Sequence, residues 1–283
     1  MGYANIIAVL SGAPDDAFTL ATAAELTHAC GGETRVLLAP SQPDMRHWSF
    51  ITPAALGPAL RDARNAVQAA RSSVEALTRE LSVENALDLE PTSGRIRLIG
   101  EYPSDGPDLY GELPLCDLLV LGLGVLATGN VWETLVSRGL MTARTPLLVA
   151  NHGPVERPAP AMIGWDGSHE AGRAVRAAVP LLKAASRVVI FQDPDHIPPD
   201  NRAAADPQRL RDYLRLHGVD RVTTLIAPGA SRRNGLARAA ASEDAELLVT
   251  GAFGHARLRE EIFGGLTQDL LAARAPFNLF MRH

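Results

Sequence analysis

Apolar residues along this chain fall into short unbroken runs, separated by longer stretches in which they recur every three or four positions. The series is clearest in the second half. Runs at 161–165, 187–192, 221–226, 246–250 and 277–281 read as strands, and the stretches 169–184, 207–217, 232–242 and 265–274 read as helices. Short strands alternating with helices predict βαβ units, hence a parallel sheet with helices on both faces. The first half opens the same way, with an apolar run from Ile6 to Leu10, a turn and an amphipathic stretch. It then carries extra sequence around 43–88, where Val67, Ala70, Val74, Leu77 and Leu81 share one helical face. This predicts one long helix packed on the sheet; a partner-binding helix is the alternative.

The two halves match each other. Residues 116–124 read CDLLVLGLG and 245–254 read AELLVTGAFG; downstream, 143–150 read ARTPLLVA and 273–280 read ARAPFNLF. Gly122 and Pro146 stand 24 residues apart, Gly251 and Pro276 25. Two motifs repeated at nearly one spacing identify a tandem duplication. Asn151 to Pro160, proline-rich and without periodicity, reads as a linker. The expected organisation is a first domain at 1–150, a linker at 151–160 and a second domain at 161–283. The first copy is about 27 residues longer up to its glycine turn.

Composition removes several function classes. With 46% hydrophobic and 21% charged residues among 283, each half has enough apolar sequence for a core. The 27 basic and 32 acidic residues leave a net charge of −5 and form no polybasic block, which argues against a broad nucleic-acid-binding face. Lys183 is the one lysine, so phosphate-loop or Schiff-base chemistry has a single candidate in no suitable context. Cys30 and Cys116 lie far apart, which excludes a disulfide framework and a cysteine zinc site; both read as buried small apolar residues in a reducing compartment. The N-terminal run is too short for a signal peptide, and no stretch approaches the ~20 apolar residues of a membrane span. A cytoplasmic protein with no membrane partner is expected.

In an open parallel sheet, ligands sit beyond the carboxyl ends of the strands, where strand order reverses. The first strand of the second copy ends in Trp165-Asp166-Gly167-Ser168, placing Asp166 at its carboxyl end and Ser168 as a helix N-cap. Its fourth strand ends in Thr250-Gly251-Ala252-Phe253-Gly254. Nine residues later, Gly264-Gly265-Leu266-Thr267 opens the last helix. Glycines let backbone N–H groups approach an anion, and a helix N-terminus adds about half a positive charge, so a phosphate can rest there without a lysine. The first copy has lost this pattern. Its first strand ends in Leu10-Ser11-Gly12, with Asp15 and Asp16 only later, and Gly122-Leu123-Gly124 lacks the nine-residue spacer before Gly129. Its following helix is expected to start at Asn130, with Trp132, Leu135 and Val136 on the apolar side.

The Gly-x2-Gly-x9-Gly pattern before a last helix, with Asp at the end of the first strand, resembles the universal stress protein family. Both copies together cover nearly the whole chain, which resembles a tandem member. The resemblance implies an α/β fold of two tandem universal-stress-type (adenine nucleotide alpha hydrolase-like) domains, each an open parallel five-stranded sheet with helices on both faces. It implies a stress-response protein binding ATP or another adenine nucleotide through Asp166, Gly251, Gly254, Gly264, Gly265 and Thr267, with Phe191 and Gln192 bordering the adenine. Magnesium would enter only with ATP. The last strands, around Pro146 to Ala150 and Pro276 to Met281, are implied to pair as a pseudo-dimer, which leaves room for a homodimer of the whole chain. Gly265 departs from the pattern, because Ser or Thr usually stands there. Losing that hydroxyl costs roughly 1.5–3 kcal/mol, or about ten- to a hundredfold in affinity, and Thr267 is the nearest remaining hydroxyl.

A scaffold acting through protein contacts, with glycines serving only turns, is the competing class. An adenylate-transferring ligase is weaker, lacking a pyrophosphate loop or His-rich signature. Any ATP hydrolysis is expected to be slow, for want of a base or positioned metal ligand. Asp193, Asp195, His196 and Asp200 match no EF-hand spacing and, with two adjacent prolines, read as a solvated loop. His255 reads as a surface residue, and Arg257 and Arg259 are opposed by Glu260 and Glu261.

Overall fold

The computed structural model describes residues 2–40, 53–84, 96–101, 109–126, 136–151, 159–230, 235–252 and 277–283. The chain divides into two units, Tyr3–Val136 and Ser137–His283.

The N-terminal unit holds strands β1 (Asn5–Leu10), β2 (Glu33–Leu38), β3 (Ile96–Glu101) and β4 (Leu118–Gly122). They lie in the order β3-β2-β1-β4, all parallel. Both faces of a parallel sheet are covered, so its central strands are apolar runs; β1 is buried from Ile6 to Leu10 and β4 along its whole length. Helix α1 (Asp16–Cys30) connects β1 to β2 and stops at Gly31, whose φ of 70° suits the left-handed end of a helix. Helix α2 (Pro53–Glu84) accounts for the surplus sequence of the first copy. Its Val74 is buried among Leu10, Leu20, Ala24, Val36, Leu38 and Ile96, with Ala70 and Leu77 packed alongside. The helix is therefore a packing element of the sheet. Cys116 is buried and its thiol is pushed up to about 12 by that burial, while Cys30 is half-exposed and not the core residue expected.

The C-terminal unit holds β5 (Leu147–Ala150), β6 (Ala161–Gly164), β7 (Val188–Gln192), β8 (Val222–Ile226), β9 (Leu247–Gly251) and β10 (Asn278–Arg282). The order is β5-β10-β9-β6-β7-β8, parallel except at β5. Helices α3 (His169–Ala184), α4 (Pro207–Leu216) and α5 (Gly235–Ser242) match the expected positions, and the expected helix at 265–274 lies outside the described residues. In α3 the buried positions are Ala171, Ala174, Val175, Ala178 and Leu182, one stripe at helical spacing. The last strands of the two copies pair antiparallel, with Leu279 opposite Val149, Phe280 opposite Leu148 and Met281 opposite Leu147. By contact, β5 consequently belongs to the second unit although the repeat places it at the end of the first copy.

In each copy of the repeat the chain leaves its first strand in one direction across the sheet and returns to the other side with its fourth. Strand order thus reverses between β1 and β4, and again between β6 and β9. Those two carboxyl-end crevices are where a ligand of this architecture is held.

Candidate functional site

The C-terminal crevice begins with Trp165-Asp166-Gly167-Ser168. Asp166 Oδ1 accepts the Ser168 N–H at 2.9 Å, closing a tight turn. Gly167 sits at φ 75°, and a Cβ there would lie 2.5 Å from the Ala205 nitrogen. Ser168 then caps α3, its Oγ accepting the Ala171 N–H at 3.1 Å. The Gly167 N–H has no acceptor among the described residues. Across the reversal point, Gly251 ends β9 beneath the first turn of α3, where a Cβ would meet the Ala171 nitrogen at 2.5 Å and Glu170 Cβ at 2.9 Å. Packing alone demands glycine there. Asp166 and Gly251 are thus brought to the two sides of one crevice. Gly254, Gly264, Gly265 and Thr267, with His255, Arg257 and Arg259, lie outside the described residues.

The neighbouring loop corrects one expectation. Phe191 and Gln192 are both buried. The Gln192 side-chain amide donates to the Ala205 carbonyl at 2.6 Å, and the Trp165 indole N–H donates to the same oxygen at 3.1 Å. The segment after β7 therefore folds back over the ends of β6 and β7. Nor is its beginning a merely solvated loop. Asp193 is buried, with Oδ1 accepting the N–H groups of Asp195 at 3.1 Å and Gly229 at 2.9 Å, and Oδ2 lying 2.9 Å from His196 Nδ1. A carboxylate acceptor places the Nδ1 proton on His196. The sequence signal was Asp193 directly before proline, the pattern of a side chain that caps a short turn. Asp195 and Asp200 are exposed, and no group of three His, Cys, Asp or Glu among the described residues could hold a metal ion.

The N-terminal crevice is built on the same plan with different residues. Gly122 ends β4 as Gly251 ends β9, and a Cβ on it would lie 2.5 Å from Thr19 Oγ1 in the first turns of α1. Beyond β1, Ser11 holds the position of Asp166 and Gly12, at φ 84°, that of Gly167. Ser11 Oγ accepts the Ala13 N–H at 3.3 Å, reproducing the Asp166 turn with a hydroxyl. A carboxylate still reaches this loop, from the helix. Asp16 Oδ1 accepts the Ser11 N–H at 3.1 Å and the Ser11 hydroxyl at 3.3 Å, and Oδ2 accepts the Gly12 N–H. Asp15 Oδ2 accepts the Gly124 N–H at 2.8 Å. Asp16 is only 2% exposed, and burial raises its pKa to about 6, against the lowering effect of the Ser11 and Gly12 amides and with a further push from Asp15. Sequence reading found the strand-end Asp missing but not the carboxylate that returns from α1.

A depression of about 300 Å³, lined in part by Leu182, Lys183, Val188, Val219 and Arg221, lies at the opposite, amino-terminal end of β7 and β8 and is unconnected with these crevices.

No protein-family model matches the chain, and no curated protein matches it. Solved structures do. A universal stress protein from Archaeoglobus fulgidus DSM 4304 aligns with a TM-score of 0.56 and 15% identity, over 98% of this chain and 95% of that one. A putative universal stress protein from Pseudomonas aeruginosa UCBPP-PA14 gives 0.56 and 13%, over 99% and 93%. A functionally unknown protein from Pseudomonas aeruginosa PAO1 gives 0.55 and 12%, over 99% and 92%. The chain has the fold of universal stress proteins over nearly its whole length. No described helix is long and apolar enough to cross a membrane.

Proposed function

We propose that this chain is a regulatory binding protein of the universal stress type, whose C-terminal half takes ATP or another adenine nucleotide while the N-terminal half keeps the fold without that ligand. The observation that carries the reading is the strand-end loop of β6. There the Asp166 carboxylate, a left-handed glycine whose N–H has no acceptor among the described residues and the capped N-terminus of α3 face one crevice with Gly251. This donor set fits an anionic ligand. Gly254, Gly264, Gly265 and Thr267 are the residues expected to complete it, with Gly265 weakening the hold. Because Gln192 is engaged with Ala205, a base in this crevice meets the backbone near Ala205 in place of the Gln192 side chain.

The second reading is a scaffold that acts through protein contacts. What favours it is Gly251, which the packing of α3 explains without a ligand, just as the packing of Thr19 explains Gly122. One experiment separates the two. The protein is purified without added nucleotide, denatured, and any released small molecule is identified by mass spectrometry; the emptied protein is then titrated with ATP. Stoichiometric adenine nucleotide, lost on replacing Gly254 and Gly264 with bulky residues, supports the nucleotide reading. An empty protein that ignores millimolar ATP leaves the scaffold.

A further inference from the structure

The loop beyond β1 has the features of an anion-binding turn: a left-handed glycine, successive N–H groups directed to one point and the start of a fifteen-residue helix behind it. The group at that point is a side chain of the same protein. We propose that the strand-end cradle of the N-terminal half is an anion seat filled by the chain's own Asp16 carboxylate, an autoinhibitory contact that closes this half to phosphate-bearing ligands.

Three observations carry it. The donors are taken: Ser11 N–H, Ser11 Oγ and Gly12 N–H all serve Asp16, and the Gly124 N–H across the crevice serves Asp15. The charge is already present, since any incoming anion meets Asp15 and Asp16, whereas the corresponding region of the C-terminal half has Asp166 on the loop and Glu170, paired with Arg173 at 3.3 Å, in the first turn of α3. The seat also has a donor that the carboxylate leaves unserved. Thr19 is fully buried, and its hydroxyl has no hydrogen-bond partner among the described residues. It lies against the same face of Gly122 as Asp16 Oδ1, at 2.5 and 3.6 Å from where a Cβ of Gly122 would stand. A two-oxygen carboxylate fills a seat that a phosphate, with more acceptor oxygens, would satisfy more fully. The groups around Asp16 are Asp15 and Ser11 from its own loop, Thr19 from α1, uncharged Gly122 from β4 and uncharged Ala70 from α2 near Gly12. Among the described residues none supplies a compensating cation.

Chemical rescue tests this on the full chain, and it stands whether or not the C-terminal half takes a nucleotide. Asp16→Ala empties the seat and lowers the unfolding midpoint. Formate or inorganic phosphate, at ionic strength held constant with chloride, should then raise that midpoint saturably and shift the Gly12 amide resonance. Asp16→Asn keeps the seat filled with a poorer acceptor, so it should be destabilised without being rescued. Wild-type protein should show no phosphate-dependent shift at Gly12. An Asp16→Ala chain that is destabilised yet indifferent to both anions would make Asp16 a structural cap and overturn the proposal. If that variant does not fold, the wild-type measurement still decides: a Gly12 amide that moves with phosphate in the unaltered protein shows that the seat is not closed.

Discussion

Beyond β6 the chain starts its helix cap one residue after a left-handed glycine, at Ser168; beyond β1 the cap comes three residues after it, at Asp15. The two added positions, Ala13 and Pro14, change the chemistry of the loop. In the C-terminal half the carboxylate sits on the strand and makes the turn, while a hydroxyl caps the helix. In the N-terminal half the hydroxyl sits on the strand and makes the turn, and the carboxylates come from the helix start. Asp15, at the cap position, makes no side-chain cap bond and reaches Gly124 instead. The glycines ending the fourth strands do not distinguish the halves, because in both a helix packs closely against them. The loop after the first strand does distinguish them.

The largest expected effect tests the shared part of this comparison. Gly251→Ala drives a Cβ into the backbone of α3 and should cost about 3 kcal/mol of stability by denaturant titration. Gly122→Ala meets the Thr19 side chain, which can yield, and should cost about 1 kcal/mol. A Gly251→Ala chain of unchanged stability that no longer binds nucleotide would assign this glycine to the ligand and not to the fold.

The next effect comes from Asp16. Its pKa is about 6 in the folded chain against 3.8 for the unperturbed group, so between those values the folded state holds a proton that the unfolded state has released. The proton-linked part of its contribution to stability therefore falls as pH rises through that window, by up to about 3 kcal/mol, and is lost above it, while the hydrogen bonds from Ser11 and Gly12 to the ionised carboxylate remain. Urea titrations from pH 4 to 7 should show this slope in wild type and not in Asp16→Asn.

Val74→Ala removes a buried anchor of α2 and should destabilise the N-terminal unit by about 2 kcal/mol, with amide exchange in the C-terminal unit unchanged. Free exchange in the first unit without any loss of α2 would break the assignment of that helix as a packing element. Ser168→Ala should cost about 1 kcal/mol through the lost cap of α3, whereas Ser11→Ala removes no cap bond of α1. Fraying of each helix by hydrogen exchange reads the difference.

Much of the architecture was legible because it rests on local periodicity. Strands buried on both faces appear as unbroken apolar runs, and α2 was visible from Val67, Ala70, Val74 and Leu77 at helical spacing. The equivalence of Gly122 and Gly251 followed from the repeat itself. What escaped depends on contacts that sequence spacing does not encode. Asp16 returns to Ser11 only because Gly12 turns left-handed; Gln192 is engaged only because a loop folds back to bring Ala205 over it. Asp193 looked solvated because its neighbours are prolines and acids, yet its carboxylate is buried under Gly229. Local pattern reports which face a residue takes, not which distant backbone it meets.

The antiparallel pairing of β5 with β10 carries a consequence for synthesis. β10 lies between β5 and β9 in the sheet, yet it is made more than a hundred residues after β5. While residues 278–282 are still inside the ribosome, the emerged chain presents β9 with an open apolar edge and β5 without its partner. The N-terminal unit can close early in translation, but the C-terminal unit is completed only when this segment arrives. Chaperone engagement should be strongest in that interval, and a nascent chain released before Asn278 should aggregate through the two uncovered edges.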